Sequence, residues 1–174
     1  MRDAFVAALS LNIFNKYGER LHMANIAQIA NVLQSIVLTK DDKMLLTPTY
    51  HVFEMYKVHQ DATHLPLYII VDKKEIRERQ VDMVNVSASK KDGKIYLTLA
   101  NIDLDKERNI EINFANAKTG SVSGRILTSP KITDHNTFEK PDIVKPVDFK
   151  DAKLSQGKLS VKLPAKSIVV LEVK

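Results

Sequence analysis

The chain has no cysteine and no tryptophan among its 174 residues. Without thiols it can form neither disulfides nor thiolate zinc sites, although a cysteine-free chain is compatible with cytoplasm and periplasm alike. Glycine and proline are scarce, at five and six residues, while hydrophobic residues make up 44% and charged residues 27%. That is the balance of an ordinary folded soluble protein and not of a disordered one. Long apolar runs are also missing. The densest, residues 32–38, falls far short of the roughly 20 residues needed to span a bilayer, so the expectation is a soluble chain with no membrane partner. Dense basic blocks are absent too. The net charge of +5 is spread through mixed stretches such as DKKEIRERQVD (72–82) and DLDKERNIE (103–111), which read as solvated surface. No nucleic-acid partner is expected.

What is present divides into two halves of different period. Residues 1 to about 60 are largely helical in pattern, whereas from about 66 onward strand follows strand. In MRDAFVAALSLNIF the apolar positions Phe5, Val6, Leu9, Ile13 and Phe14 follow helical spacing, without the continuous apolar core of a signal peptide. This is an amphipathic helix already inside a domain, and the natural start of the protein is expected to lie elsewhere. The helix should run to about Tyr17 and close at Gly18. The next run, RLHMANIAQIANVLQSIVL, is ambiguous. Ile26, Ile29, Leu33, Ile36 and Val37 suit a buried helix, while Leu21, Met23, Asn25 and Ala27 suit a short strand.

Residues 46–61, LTPTYHVFEMYKVHQD, hold two histidines, two carboxylates and three aromatic rings. Thr47-Pro48 is a helix-initiating pair: the hydroxyl caps orphan amides and proline takes the first helical position. His51 and His59 are eight residues apart, two turns along the helix and too distant for one metal ion, and no third ligand is indicated. The stretch reads as a docking helix, with no metal and no other cofactor expected.

The second half predicts strands over 67–71, 83–89, 95–100, 110–114, 122–128, 159–163 and 168–173. Asp-Gly in KKDGK (90–94) supplies the positive φ of a tight hairpin. Further turns are expected at AKTG (117–120) and SQGK (155–158). Between Ser129 and Lys153 the pattern predicts a long irregular connection over the surface. The fold class is therefore mainly β, an antiparallel sandwich preceded by a helical segment.

MANIAQIANVLQ, LTPTYHVFEMYKVHQDA and NTFEKPDIVKP resemble the C-terminal part of bacterial α-L-arabinofuranosidases of glycoside hydrolase family fifty-one, and the likeness extends over nearly the whole chain. Such enzymes carry a (β/α)8 barrel followed by a jelly-roll sandwich, and they release terminal arabinofuranosyl groups with retention. The resemblance implies that residues 1–64 are the end of the barrel (a helix, the last strand over about 21–28, the last helix) and residues 65–174 the accessory sandwich. Barrel active sites lie at the C-terminal ends of strands. That places Gln28 at the mouth, where the resemblance implies hydrogen bonds to arabinose hydroxyls, with Asn25 and Asn31 nearer to structural roles. Tyr50, Phe53 and Tyr56 would pack against barrel or sandwich, with His51, Glu54 and His59 as scaffold.

A retaining glycosidase needs two carboxyl groups about 5 Å apart. In the family they lie upstream of everything here, so no catalytic residue is assigned; Glu54, Asp61, Asp134, Glu139 and Asp142 lie on helices, loops or the sandwich. By this reading the chain acts on arabinose-containing glycans only as part of its parent enzyme and is inactive alone. Barrel faces left open at residues 1–60 predict a homo-oligomer, or rearranged helices beside an intact sandwich. The competing reading is a stand-alone sugar-binding sandwich. Tyr68, Tyr96, Phe114, Phe138 and Phe149 argue against it, because most are expected to face the core.

Overall fold

The computed structural model describes residues 1–26, 28–114 and 120–174. Helix α1 (Arg2–Lys16) buries Ala4, Phe5, Ala7, Ala8 and Asn12 on one face and ends at Tyr17. Gly18 lies in the turn that follows, without a left-handed backbone. A hairpin of β1 (Val37–Lys40) and β2 (Lys43–Leu46) precedes α2 (Pro48–Tyr56). The Thr47 hydroxyl accepts the Tyr50 amide and Pro48 fills the first turn, as the Thr-Pro pair predicts. A 3-10 turn, Lys57–His59, then leads into the strands.

The strands are β3 (Thr63–His64), β4 (Lys73–Ile76), β5 (Arg79–Asp82), β6 (Val84–Lys91), β7 (Lys94–Asn101), β8 (Arg108–Asn113), β9 (Val122–Thr128), β10 (Val147–Asp148), β11 (Ala152–Ser155), β12 (Lys158–Leu163) and β13 (Ser167–Val173). They form a large antiparallel sheet, ordered β10-β9-β13-β7-β6-β3, and a small one, ordered β11-β12-β8, with β4-β5 as a separate hairpin. Asp92-Gly93 and Gln156-Gly157 turn two hairpins with positive φ at both positions. The turn expected at 117–120 falls, up to residue 119, outside the described residues.

Three layers result, and β13 shows why. Val169, Leu171 and Val173 point into the sandwich core with Leu97, Leu99, Leu159 and Leu163. Ile168 and Val170 point the other way, into a second core with Phe5, Val52, Met55 and Leu127. A strand buried on both faces reads as a continuous apolar run, and each fully buried aliphatic side chain contributes roughly 1.5–3 kcal/mol. The two helices thus lie packed together on the outer face of the large sheet.

Four expectations need correction. Residues 21–26 and Gln28 form no strand; a barrel strand is held by ladders from both neighbours, and none is present among the described residues. Residues 67–71 are also outside any ladder, though Leu65 and Val71 pack into the sandwich core. The connection after Ser129 does not merely skirt the surface. Val144 is fully buried, and Asn136 donates to the carbonyls of Leu46 and Val144 while accepting the Val144 amide. Lastly, of the rings expected mostly to face the core, Phe149 is buried and Phe114 packs against the sandwich core, but Tyr68 is 91% exposed.

Candidate functional site: the open helix face and the polar seam behind it

Gln28 lies exposed on the extended segment that leaves α1. Asn25, three residues earlier, lines a pocket of about 180 Å³ with Val6, Ser10, Phe14, Gln34 and Phe53. Asn31 adopts φ 57 and clamps Thr39, its amide donating to the hydroxyl at 2.7 Å and its oxygen accepting the backbone N–H at 2.8 Å. The structure therefore brings Asn25 to the helix surface beside α2, gives Asn31 a hairpin to hold and leaves Gln28 facing solvent. Around them the surface is apolar. Val6, Ile13 and Phe14 on α1 are exposed, as are Met23 (75%), Ile29 and Leu33 (97%) on the segment that follows.

Behind this face α1 meets the large sheet through polar groups. Asn12 donates to the Asn85 side chain at 2.7 Å and accepts from the Thr98 hydroxyl at 2.7 Å, while Asn15 donates to Ser87. His59 reaches the same place from the 3-10 turn, with Nε2 at 3.1 Å from Thr98 Oγ1 and Nδ1 at 2.6 Å from Ser89 Oγ. Since the Thr98 proton goes to Asn12, Thr98 accepts from His59, which assigns the proton to Nε2 and leaves Nδ1 to accept from Ser89. Burial lowers the His59 pKa from 6.5 to about 4, reinforced by the nearby His64. The Tyr56 hydroxyl is buried in the same layer beside Thr98 and Asn12, and burial raises its pKa strongly.

Asn85, Ser87 and Ser89 alternate with Val84, Val86 and Ala88 along β6, so their sequence signal is that of a solvent-facing stripe. The helix layer covers that stripe. Sequence reasoning missed this seam because period two separates the faces of a strand but not a wet face from one covered by a helix.

The carboxylates are held by structural partners. Glu54 pairs with Arg125 at 2.7 Å and Lys57 at 3.3 Å, and these cations hold its pKa below the usual carboxylate range against the opposing effect of burial. Asp134 is bound by the Ser129 hydroxyl and the Lys131 amide, which lower its pKa. Asp103 accepts the amides of Asp105 and Lys106 and pairs with Arg108 at 2.8 Å, again with a lowered pKa. A general acid working near neutrality needs the opposite shift. His51 is half-buried with its pKa lowered by burial, and it lies edge-on to Tyr50. Among the described residues no cluster of three histidine or carboxylate side chains is placed to hold a metal ion.

The family model for the alpha-L-arabinofuranosidase C-terminal domain matches residues 1–167. The chain belongs to the alpha-L-arabinofuranosidase C-terminal domain family. It is 58% identical over 175 residues to an intracellular exo-alpha-L-arabinofuranosidase of Bacteroides ovatus, covering 99% of this chain and 34% of that protein. It also superposes on a glycoside hydrolase family fifty-one arabinofuranosidase from Xanthomonas axonopodis pv. citri with TM-score 0.95 and 45% identity, covering 98% of this chain and 35% of that one. The alpha-L-arabinofuranosidase from Thermotoga maritima shares the fold, with TM-score 0.83 at 18% identity, over 98% of this chain and 37% of that one. The arabinofuranosidase C-terminal domain thus spans about a third of the relatives it matches, and the family model takes in both helices and the strands up to the start of β13.

Proposed function

We propose that this chain is the far third of a retaining α-L-arabinofuranosidase that removes terminal arabinofuranosyl groups from plant glycans. In that reading residues 1–64 complete the barrel and residues 65–174 form the accessory sandwich. Gln28 lines the arabinose pocket, while the nucleophile and the acid/base come from the upstream two thirds. One observation carries the proposal: Val6, Ile13 and Phe14 of α1 and Leu21, Met23, Ile29 and Leu33 after it are exposed on the side away from the sheet, whereas the sheet side is closed by an apolar core and a hydrogen-bonded seam. An exposed apolar strip of this kind marks a surface that another part of the protein covers. The rest of the barrel is a covering of the right chemistry, and it would supply the ladder partners that residues 21–26 and Gln28 lack among the described residues. Without that covering, the isolated chain self-associates through the same strip.

A hybrid tests the reading. The C-terminal third of the Bacteroides ovatus relative is replaced by these 174 residues, and arabinose release is measured for the hybrid and for the chain alone. The hybrid is expected to be active and the chain inactive. In the hybrid, Gln28→Ala should lower kcat/KM by on the order of 10²-fold, as for a lost transition-state hydrogen bond. Unchanged kinetics in Gln28→Ala would remove Gln28 from the pocket, and arabinose release by the chain alone would sink the proposal.

A further inference from the structure

On the helix-facing side of the large sheet, the ladder register sets side chains of β7, β13 and β9 in rows. Ala100, Ile168 and Leu127 form an apolar row buried under the helices, and Thr98, Val170 and Arg125 form the next. Tyr96, Glu172 and Ser123 form the third. Neighbouring strands lie about 4.8 Å apart, so this row sets a phenol, a carboxylate and a hydroxyl side by side over about 10 Å. The helices do not close over it: Ser123 is exposed, and Tyr96 and Glu172 are half-buried. The C-terminal end of α2, with Glu54 and Lys57, makes a wall, and Arg125 and Asp148 flank the row, leaving a pocket of about 320 Å³. Two of its carboxylates are pinned. Glu54 is held by Arg125 and Lys57, and Glu172 by Lys94 at 3.2 Å and Lys174 at 3.4 Å. Against the opposing effect of burial, those two lysines hold the Glu172 pKa below the usual carboxylate range. The pocket therefore offers fixed donors and acceptors with little net charge.

We propose that this pocket holds one glycosyl unit of a neutral saccharide chain, lying on the Tyr96 ring with its hydroxyls against Glu172, Ser123 and Arg125. Charge balance selects the class. Neither an anion nor a cation gains a net field here, whereas each sugar hydroxyl both donates and accepts and so can serve either member of an ion pair. Tyr96 supplies the flat apolar surface on which the C–H groups of a sugar ring rest, with a polar tip beside it. A protein surface is a poor occupant. None of the large apolar side chains exposed among the described residues lines the pocket, and interface centres are depleted of charge. Covering these ion pairs with protein would strip their water without returning an equal number of hydrogen bonds. The strip assigned to the upstream two thirds is the contrary case, apolar along α1 and the segment after it. That the saccharide contains arabinose rests on the proposed function; the pocket itself asks only for a neutral sugar.

The experiment adds α-1,5-arabinotriose to the 174-residue chain and follows saturation-transfer difference NMR, which reads the sugar whether the chain is monomeric or associated. Transfer to the trisaccharide is expected, with a Kd on the order of 1 mM. Tyr96→Leu should weaken binding roughly fivefold, while Tyr96→Phe, which keeps the ring, should stay within about twofold of wild type. Ser123 is exposed, so Ser123→Tyr fills the pocket with the fold not at stake, and it should abolish transfer. Raising NaCl from about 50 to about 500 mM should leave Kd unchanged, as for an uncharged ligand. The assignment is overturned if the trisaccharide shows no transfer up to its solubility limit, if Ser123→Tyr binds as wild type does, if Tyr96→Leu and Tyr96→Phe bind alike, or if salt displaces the sugar. Each of those results leaves the arabinofuranosidase reading standing, because that reading is decided by the hybrid. An inactive hybrid, conversely, would leave a measured saccharide site in place and remove only the reason for its arabinose preference.

Discussion

His59 Nδ1 lies 2.6 Å from Ser89 Oγ, so a histidine just after the last helix is held neutral by a hydroxyl on a central strand. Burial lowers its pKa from 6.5 to about 4, which means the unfolded chain takes up a proton between those values and the folded chain does not. The stabilisation is complete above pH 6.5 and is lost progressively as pH falls from there to about 4. Denaturant midpoints should therefore report a loss of roughly 2–3 kcal/mol between pH 7 and pH 4.5. In His59→Gln that dependence should flatten; an equally steep profile there would show that another group is responsible.

The Asn12 and Thr98 side chains should prove energetically coupled. Removing Asn12 with Asn12→Ala strands Asn85 and Thr98 in a buried layer, at about 1–3 kcal/mol. Thr98→Val made in addition should cost less than the sum of the two single changes, and a double-mutant cycle measures the difference. Strict additivity would mean the seam is not a connected network.

Thr47 has two duties. Its hydroxyl accepts the Tyr50 amide and also reaches the carbonyls of Ser35 and Ile36, at 2.8 and 2.9 Å. Thr47→Ala is expected to destabilise by about 1 kcal/mol or somewhat more, with Thr47→Ser restoring most of it. Chemical denaturation of the three proteins decides this, and a serine variant no better than alanine would assign the effect to the methyl group.

Gly124 is set by space. A Cβ there would sit 2.5 Å from Leu171 Cδ2 and 2.9 Å from the Val170 carbonyl, whose backbone has no room to give, with Phe149 packed above. Gly124→Ala should cost roughly 1–3 kcal/mol, lowering Tm by several degrees. A melting temperature within a degree of wild type would show that the two central strands can separate locally.

Much of the architecture was legible before any coordinates. The first helix, the Thr47-Pro48 start, the Asp92-Gly93 hairpin and the alternating strands follow from local rules, because each depends on residues that are neighbours in sequence. The failures share one cause. Residues 21–28 and 67–71 carry strand patterns, but a ladder needs a second strand, and none pairs with either segment among the described residues. Asn85, Ser87 and Ser89 read as exposed because nothing in β6 announces the helices covering it. The β1-β2 hairpin went unread as well, since residues 36–38 seemed to continue an apolar run. Gln28 was singled out by family resemblance alone; no spacing or charge pattern marks it.

The position of β13 has a consequence for how the fold comes into being. It follows every other strand among the described residues, yet it sits between β7 and β9 and supplies side chains to both cores. Until residues 167–173 are available, β6-β7 and β9-β10 have no shared edge, and the helices have only half a surface to rest on. A chain emerging residue by residue must therefore carry two unjoined sheet fragments from the appearance of β9 and β10 until residues 167–173 follow. Clipping at residue 166 would unseat the helices and open the sandwich in one event.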